Sequence, residues 1–122
     1  MSNMPQISAS ELEIMNVLWK HGSLMGTRIV ELVSENNDWG DKTIRTFINR
    51  LVAKKAISIK KINGRAFLYS AAIEESAYKS SATNTFLKKM YDGSLNLMLT
   101  GFVNDNKLSK SEIDELKKIL EG

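Results

Sequence analysis

Three features predict the fold class: helical segments with one-sided apolar stripes, an Asn-Gly dipeptide between two β-prone runs, and a basic stretch that lacks any acid. Together they describe a mainly α protein with a small β-hairpin wing. The order of segments reads as a winged helix-turn-helix domain over residues 1–73 and a second, wholly helical domain over residues 74–122. With 43% hydrophobic and 25% charged residues, the chain can bury a core, and its 122 residues suit one or two small units.

The first helix is expected from Ser8 to Lys20. Ser8 and Glu11 form an S-x-x-E capping box, which satisfies two backbone donors at once. Ile14, Met15, Val17, Leu18 and Trp19 give its apolar side, and His21 suits the negative end of the helix dipole. Ser23 to Gly26 reads as a connector. A second helix spans about Gly26 to Glu35, followed by a loop in which Trp39 anchors the core. The third helix runs from about Asp41, which suits capping, to Lys55. Ile44, Phe47, Ile48, Leu51 and Val52 recur at helical spacing, so Lys42, Arg45, Thr46, Asn49 and Ala53 fall on the opposite face, flanked by Thr43 and Arg50.

Asn63-Gly64 predicts a hairpin with a type I′ turn, which needs positive φ at both residues. That register would put Ile57, Ile59 and Leu68 on one face and Lys60, Lys61 and Arg65 towards the tip. Glu74 to Tyr91 reads as a long helix ended by Asp92-Gly93, and Ser94 to about Val103 as the next. Ser109 and Glu112 form a second capping box and open the last helix.

Composition excludes whole classes of function. The chain has no cysteine, so it has no disulfide, no thiolate metal site and no cysteine nucleophile. One histidine cannot make a histidine-rich metal centre, and neither a catalytic constellation nor a phosphate-cradling glycine loop is present. No catalytic residue, metal or cofactor is expected. No apolar run reaches the roughly 18 residues of a membrane span, and Met1 to Ser10 lacks the pattern of a signal peptide. A cytoplasmic protein is expected.

Charge points to a partner. Residues 42–65 carry Lys42, Arg45, Arg50, Lys54, Lys55, Lys60, Lys61 and Arg65 without one acid. A single-sign field of this kind attracts a polyanion. In a winged helix-turn-helix the third helix lies in the DNA major groove. Arg and Lys bond guanine, Asn pairs with adenine, and a threonine methyl meets that of thymine. The expected contacts to double-stranded DNA are Lys42, Thr43, Arg45, Thr46, Asn49 and Arg50 on that helix, with Lys60, Lys61 and Arg65 on the wing. Thr27 and Arg28, starting the second helix, are placed to hold a phosphate. About 49 C-terminal residues are too few to bury their apolar stripes alone. Phe86, Leu87, Leu97, Phe102, Ile113, Leu116 and Leu120 are therefore expected to pair with a second copy, which makes residues 74–122 a helical dimerisation domain.

Glu11-x-x-Ile14-Met15-x-Val17-x-Trp19 is followed by the run from Asp41 to Leu51, with Lys42-Thr43-Ile44-Arg45-Thr46 at its head. Phe86-Leu87-x-x-x-Tyr91-x-Gly93 and Leu108-Ser109-x-x-Glu112-Ile113-x-Glu115-Leu116 come later. With these motifs nearly the whole chain resembles the penicillinase-repressor family (BlaI/MecI, related to the copper-responsive CopY repressors). The resemblance implies a homodimeric repressor of inverted-repeat operators with TACA/TGTA cores, controlling a β-lactamase or related resistance gene. It also implies inactivation by cleavage, with a protease in a sensor pathway as a further partner. In the penicillinase branch the cut falls in an Asn-Phe segment of the fifth helix, and Gly101-Phe102 match it here. The cysteine cluster of the copper-responsive branch is absent.

Two other readings stay open at this stage. A small ligand in a pocket near Met90, Met98 and Phe102 could release the repressor from DNA. Alternatively, the helices from Glu74 to Leu120 could form a protein-interaction module with no DNA partner.

Overall fold

The computed structural model describes residues 4–105 and 107–121. The elements are α1 (Ala9–His21), β1 (Leu24–Met25), α2 (Gly26–Ser34), α3 (Asp41–Ala53), β2 (Ile57–Asn63), β3 (Ala66–Ala71), α4 (Glu75–Tyr91), α5 (Leu95–Asn104) and α6 (Lys110–Glu121). The chain is mostly helical with one three-stranded antiparallel sheet, the winged-helix arrangement expected. It divides into two compact units, and the division falls after Tyr78, inside α4 and not before it. Trp19 explains why the first turn of α4 stays with the winged unit. Its indole N–H donates to the Ile73 carbonyl at 2.9 Å, and its ring lies 5.9 Å from that of Tyr78.

The first unit is built around one core. Ile14, Met15 and Leu18 of α1 meet Ile29, Val30 and Val33 of α2 and Ile44, Ile48 and Leu51 of α3, with Ala56 and Ile57 closing the end. Each set repeats every three or four residues, so each helix buries one stripe. Trp39 is half-buried against this core, edge-on to Phe47 at 5.3 Å.

Helix ends follow local chemistry. At α1 both halves of the capping box form: Glu11 N–H donates to Ser8 Oγ at 3.1 Å, and Ser8 N–H to Glu11 Oε1 at 2.9 Å. Asp41 does not cap α3. Gly40 holds that position, and Asp41 sits inside the first turn. The helix closes at Ala53, earlier than the periodicity implies. Lys55 turns left-handed at φ 66°, with Ala56 N–H donating to the Leu51 carbonyl at 2.9 Å and Lys55 N–H to that of Val52 at 3.0 Å. This paired closure satisfies the last carbonyls.

The sheet corrects two expectations. Strand order is β1-β3-β2, so the supposed connector contains a strand, with Leu24 opposite Tyr69 and Met25 opposite Leu68. In the hairpin Asn63 pairs with Ala66, which makes Gly64-Arg65 the turn. Among the described residues near the tip only Gly64, at φ 51°, is left-handed. An irregularity between Lys61 and Asn63 shifts the register by one residue. Since faces alternate along a strand, Ile57, Ile59 and Lys61 share a face with Tyr69 and Phe67, whereas Leu68 lies with Lys60 on the other. Leu68 is therefore not the partner of Ile57 and Ile59.

In the second unit no described residue from Lys79 onwards is buried. Its helices are nonetheless well bounded. Ser94 Oγ accepts from Leu97 N–H at 3.2 Å, and Ser109 and Glu112 exchange two bonds of 3.1 Å at the start of α6. Among the described residues no helix is long and apolar enough to cross a membrane, and no cluster of three acidic, His or Cys residues could hold a metal.

One charge lies inside the winged unit. Glu11 is 2% exposed, and its Oε1 also accepts from Lys54 Nζ at 2.5 Å, while Lys54 donates to the Gln6 carbonyl at 2.8 Å. Burial raises the Glu11 carboxyl, but the Lys54 ammonium and the Ser8 bonds outweigh it and hold the group below its ordinary range. The folded state therefore binds this proton less readily than the unfolded chain. Its contribution to stability is present above the unfolded carboxylate value, about 4.3, and is lost as pH falls through the lower folded value. Lys54→Met should cost about 1–3 kcal/mol at pH 7, because the buried carboxylate loses its charged donor. With the ammonium gone, burial is opposed by the Ser8 bonds alone, so the folded carboxyl should rise and the loss of stability on acidification should shrink. Urea unfolding at pH 7, 5 and 4 checks both; an acid limb identical to that of the unsubstituted protein would show that Lys54 does not hold Glu11 ionised.

Candidate nucleic-acid interface

Burying Ile44, Ile48 and Leu51 leaves the opposite face of α3 in solvent. Lys42, Thr43, Arg45, Thr46, Asn49 and Arg50 are all exposed, as the helical spacing predicts. Thr46 Oγ1 donates to the Lys42 carbonyl at 2.9 Å, which leaves its methyl group free to make apolar contact. Arg50 leans away over the Phe47 ring, 5.9 Å from its centroid. Arg45 Nε lies 4.0 Å from Asp41, a pair in which both side chains are largely in water and which is worth little as a bond.

The wing supplies the second group. Lys60, Lys61 and Arg65 are exposed, and Lys60 and Lys61 project from opposite faces of β2. Among the described residues no carboxylate pairs with Lys42, Lys60, Lys61 or Arg65. The sheet draws Arg65 towards α3. A cleft of about 160 Å³ is lined by Gly26 and Thr27 at the start of α2, Arg45 of α3, and Arg65, Phe67 and Tyr69 of the hairpin. Thr27 and Arg28 are exposed on the first turn of α2, and Arg28 is tied to Glu31 at 2.8 Å.

The helix starts differ in a way that suits an anion. α1 and α5 have a serine whose hydroxyl accepts a backbone N–H. α2 and α3 begin at Met25 and Gly40, with no side-chain bond to their first amides. Their N–H groups remain available where the basic side chains gather.

Sequence reasoning missed three parts of this site. Lys54, counted in the basic run, is withdrawn from it by Glu11. The signal was there: Lys54 stands seven residues after Phe47, on the apolar side of α3. Tyr69 and Gly26 enter the site through the pairing of β1 with β3, which a two-residue strand does not announce. In the second unit Phe86 and Leu97 are exposed, and Leu87, Phe102, Ile113 and Leu116 are half-buried; the Leu120 side chain lies outside the described residues. Gly101 and Phe102 sit within helical α5, both half-buried.

Comparison with known proteins agrees with this geometry. The penicillinase repressor family model matches residues 7–122. A penicillinase repressor of Bacillus licheniformis is 41% identical over 121 residues, covering 99% of this chain and 94% of that protein. The methicillin resistance regulatory protein MecI of Mammaliicoccus sciuri is 39% identical, covering 94% of this chain and 93% of that one. The solution structure of the monomeric form of Bacillus licheniformis BlaI in complex with the blaP half-operator superposes with a TM-score of 0.56 at 42% identity, covering 64% of this chain and 94% of that one. The chain belongs to the penicillinase repressor family, a family of transcriptional regulators and not of enzymes.

Proposed function

We propose that the protein is a repressor that binds an inverted-repeat operator as a homodimer and controls a β-lactamase or related resistance gene. The observation that carries the DNA reading is the exposed face of α3, where Lys42, Arg45, Thr46 and Asn49 stand beside a wing whose cations have no acidic partner among the described residues. Arg45 reads a base edge in the major groove, and Asn49 and the Thr46 methyl offer further readout. Lys60, Lys61, Arg65 and the open amides of α2 hold phosphates. The half-operator complex of the Bacillus licheniformis relative supports this reading.

The second unit supports the dimer. Phe86 (47%), Met90 (62%), Leu97 (55%) and Val103 (42%) expose large apolar surface, and no described residue of the unit is buried. A monomer rarely leaves so much apolar area uncovered. A second copy covers it and places two readers about 34 Å apart, as an inverted repeat requires.

Release by cleavage at Gly101-Phe102 is the finer part of the proposal. Helical backbone is a poor protease substrate, so the cut needs α5 to open locally, and Gly101 lowers helix propensity by about 1 kcal/mol relative to Ala. Cutting there separates the last helix from the reader. The gain from tethering two half-site binders, about 10²–10⁴ in affinity, is then lost.

Arg45→Ala should cost about 1–3 kcal/mol on the operator and less on random duplex, measured by mobility shift. An equal loss on both would make Arg45 a phosphate ligand. On the wing, Lys61→Ala/Arg65→Ala should weaken binding to every sequence and flatten the slope of log K against log salt by about 1 for each phosphate no longer neutralised; an unchanged slope means that the wing does not meet the backbone. Residues 1–82 alone should sediment as a folded monomer, and a dimer would move the interface into the first unit. In cells treated with a β-lactam, mass spectrometry should find a fragment ending at Gly101, whereas an intact chain during full induction would favour ligand-driven release.

A further inference from the structure

Gly26 starts α2, where glycine is a poor helix former and Ala would serve the helix better. It is not left-handed, so its backbone does not demand glycine. Space does. A Cβ at this position would stand 3.2 Å from Tyr69 Cε1 and 3.4 Å from Arg45 Nη1. An added methyl would press on the phenol ring and touch the guanidinium, so one of them would have to give by a few tenths of an ångström. Tyr69 is fixed there because β3 is the central strand, with Leu24 opposite Tyr69 on one side and Ile59 on the other. On the far side Asp41 lies 4.0 Å from Arg45 Nε.

We propose that Gly26 and Tyr69 are positioning residues for Arg45: they confine its guanidinium before DNA arrives. This rests on the reading of Arg45 as a base reader. An exposed arginine samples many rotamers, and ordering it on binding costs affinity. Here the bare Cα of Gly26 leaves room for Arg45 Nη1, so part of that ordering is complete in the free protein. The sheet that builds the wing thereby also sets the reader on α3, through Tyr69. Gly26 and Tyr69 touch no base in this scheme and act only through Arg45.

The test uses the full chain. Gly26→Ala should lower operator affinity about twofold and Gly26→Val about tenfold, the loss rising as the added atoms displace Arg45. Affinity for random duplex should change far less. In an Arg45→Ala background the same substitutions should cost nothing, since nothing is left to position. Tyr69→Leu, which removes the ring, should weaken operator binding. Nitrogen-15 relaxation of the Arg45 Nε in DNA-free protein gives a readout that needs no operator and no bulky variant: it should be more ordered than that of Arg65 and should loosen in Gly26→Ala. Thermal melts identify any variant that has merely lost its fold. Additive losses in the Arg45→Ala background, or an Arg45 Nε as mobile as that of Arg65, overturn the positioning role and leave the DNA reading intact. If Arg45→Ala itself binds the operator with full affinity, the base-reading assignment falls and the positioning role falls with it.

Discussion

Burial of Ile44, Ile48 and Leu51 against α1 and α2 fixes the rotation of α3. A helix has two faces and only one can enter the core. Once the branched side chains are committed, Lys42, Arg45, Thr46 and Asn49 have no place but solvent. The same core sets the end of α3, because Ala56 and Ile57 are drawn into it and the chain must reverse at Lys55, at φ 66°, to bring them there. That reversal starts β2 and so places the wing. The exposed face of α3 and the wing are both consequences of one packed stripe, which is why so small a sheet can bring Arg65 beside Arg45.

Helices and exposed faces were legible in the sequence because their signals are local. The 3.6-residue period of α3 and the capping boxes at Ser8 and Ser109 each lie within a few residues. What failed depends on pairing between distant segments. Asn63-Gly64 marks the turn to within one residue, since Asn63 pairs with Ala66 around Gly64-Arg65, and the irregularity between Lys61 and Asn63 then adds a slip of one residue. A slip of one residue reverses every side chain, and Leu68 thus changes face. β1 is two residues long and exists because β3 offers it an edge. Neither signal is present in the segment itself.

Charge shows the same division. The acid-free run from Lys42 to Arg65 is real as sequence, but a field is a property of space. Glu11, which is 43 residues from Lys54 along the chain, meets it at the edge of the core and neutralises it. Lys54 serves the inside of the unit, and the bond stabilises the fold only because the Ser8 amide and the ammonium together outweigh the cost of burying the carboxylate. The cations left for a polyanion are those on the outer face of α3 and the wing.

The two units solve the problem of size differently. The first closes a core from three helices, with residues of all three strands packed against its end. The second has three helices with clear boundaries but no buried residue among those described, so its caps define helices that its own packing cannot hold. Caps are worth about 1 kcal/mol each, far less than the ordering entropy of some forty residues. The exposed Phe86, Met90, Leu97 and Val103 are apolar area that the proposed second copy would cover. A unit held by such cover would also be one that can be switched. In the proposed dimer, opening α5 would strip the cover from both copies, and a reader that binds well only in pairs would lose its partner while the core of the first unit stayed intact.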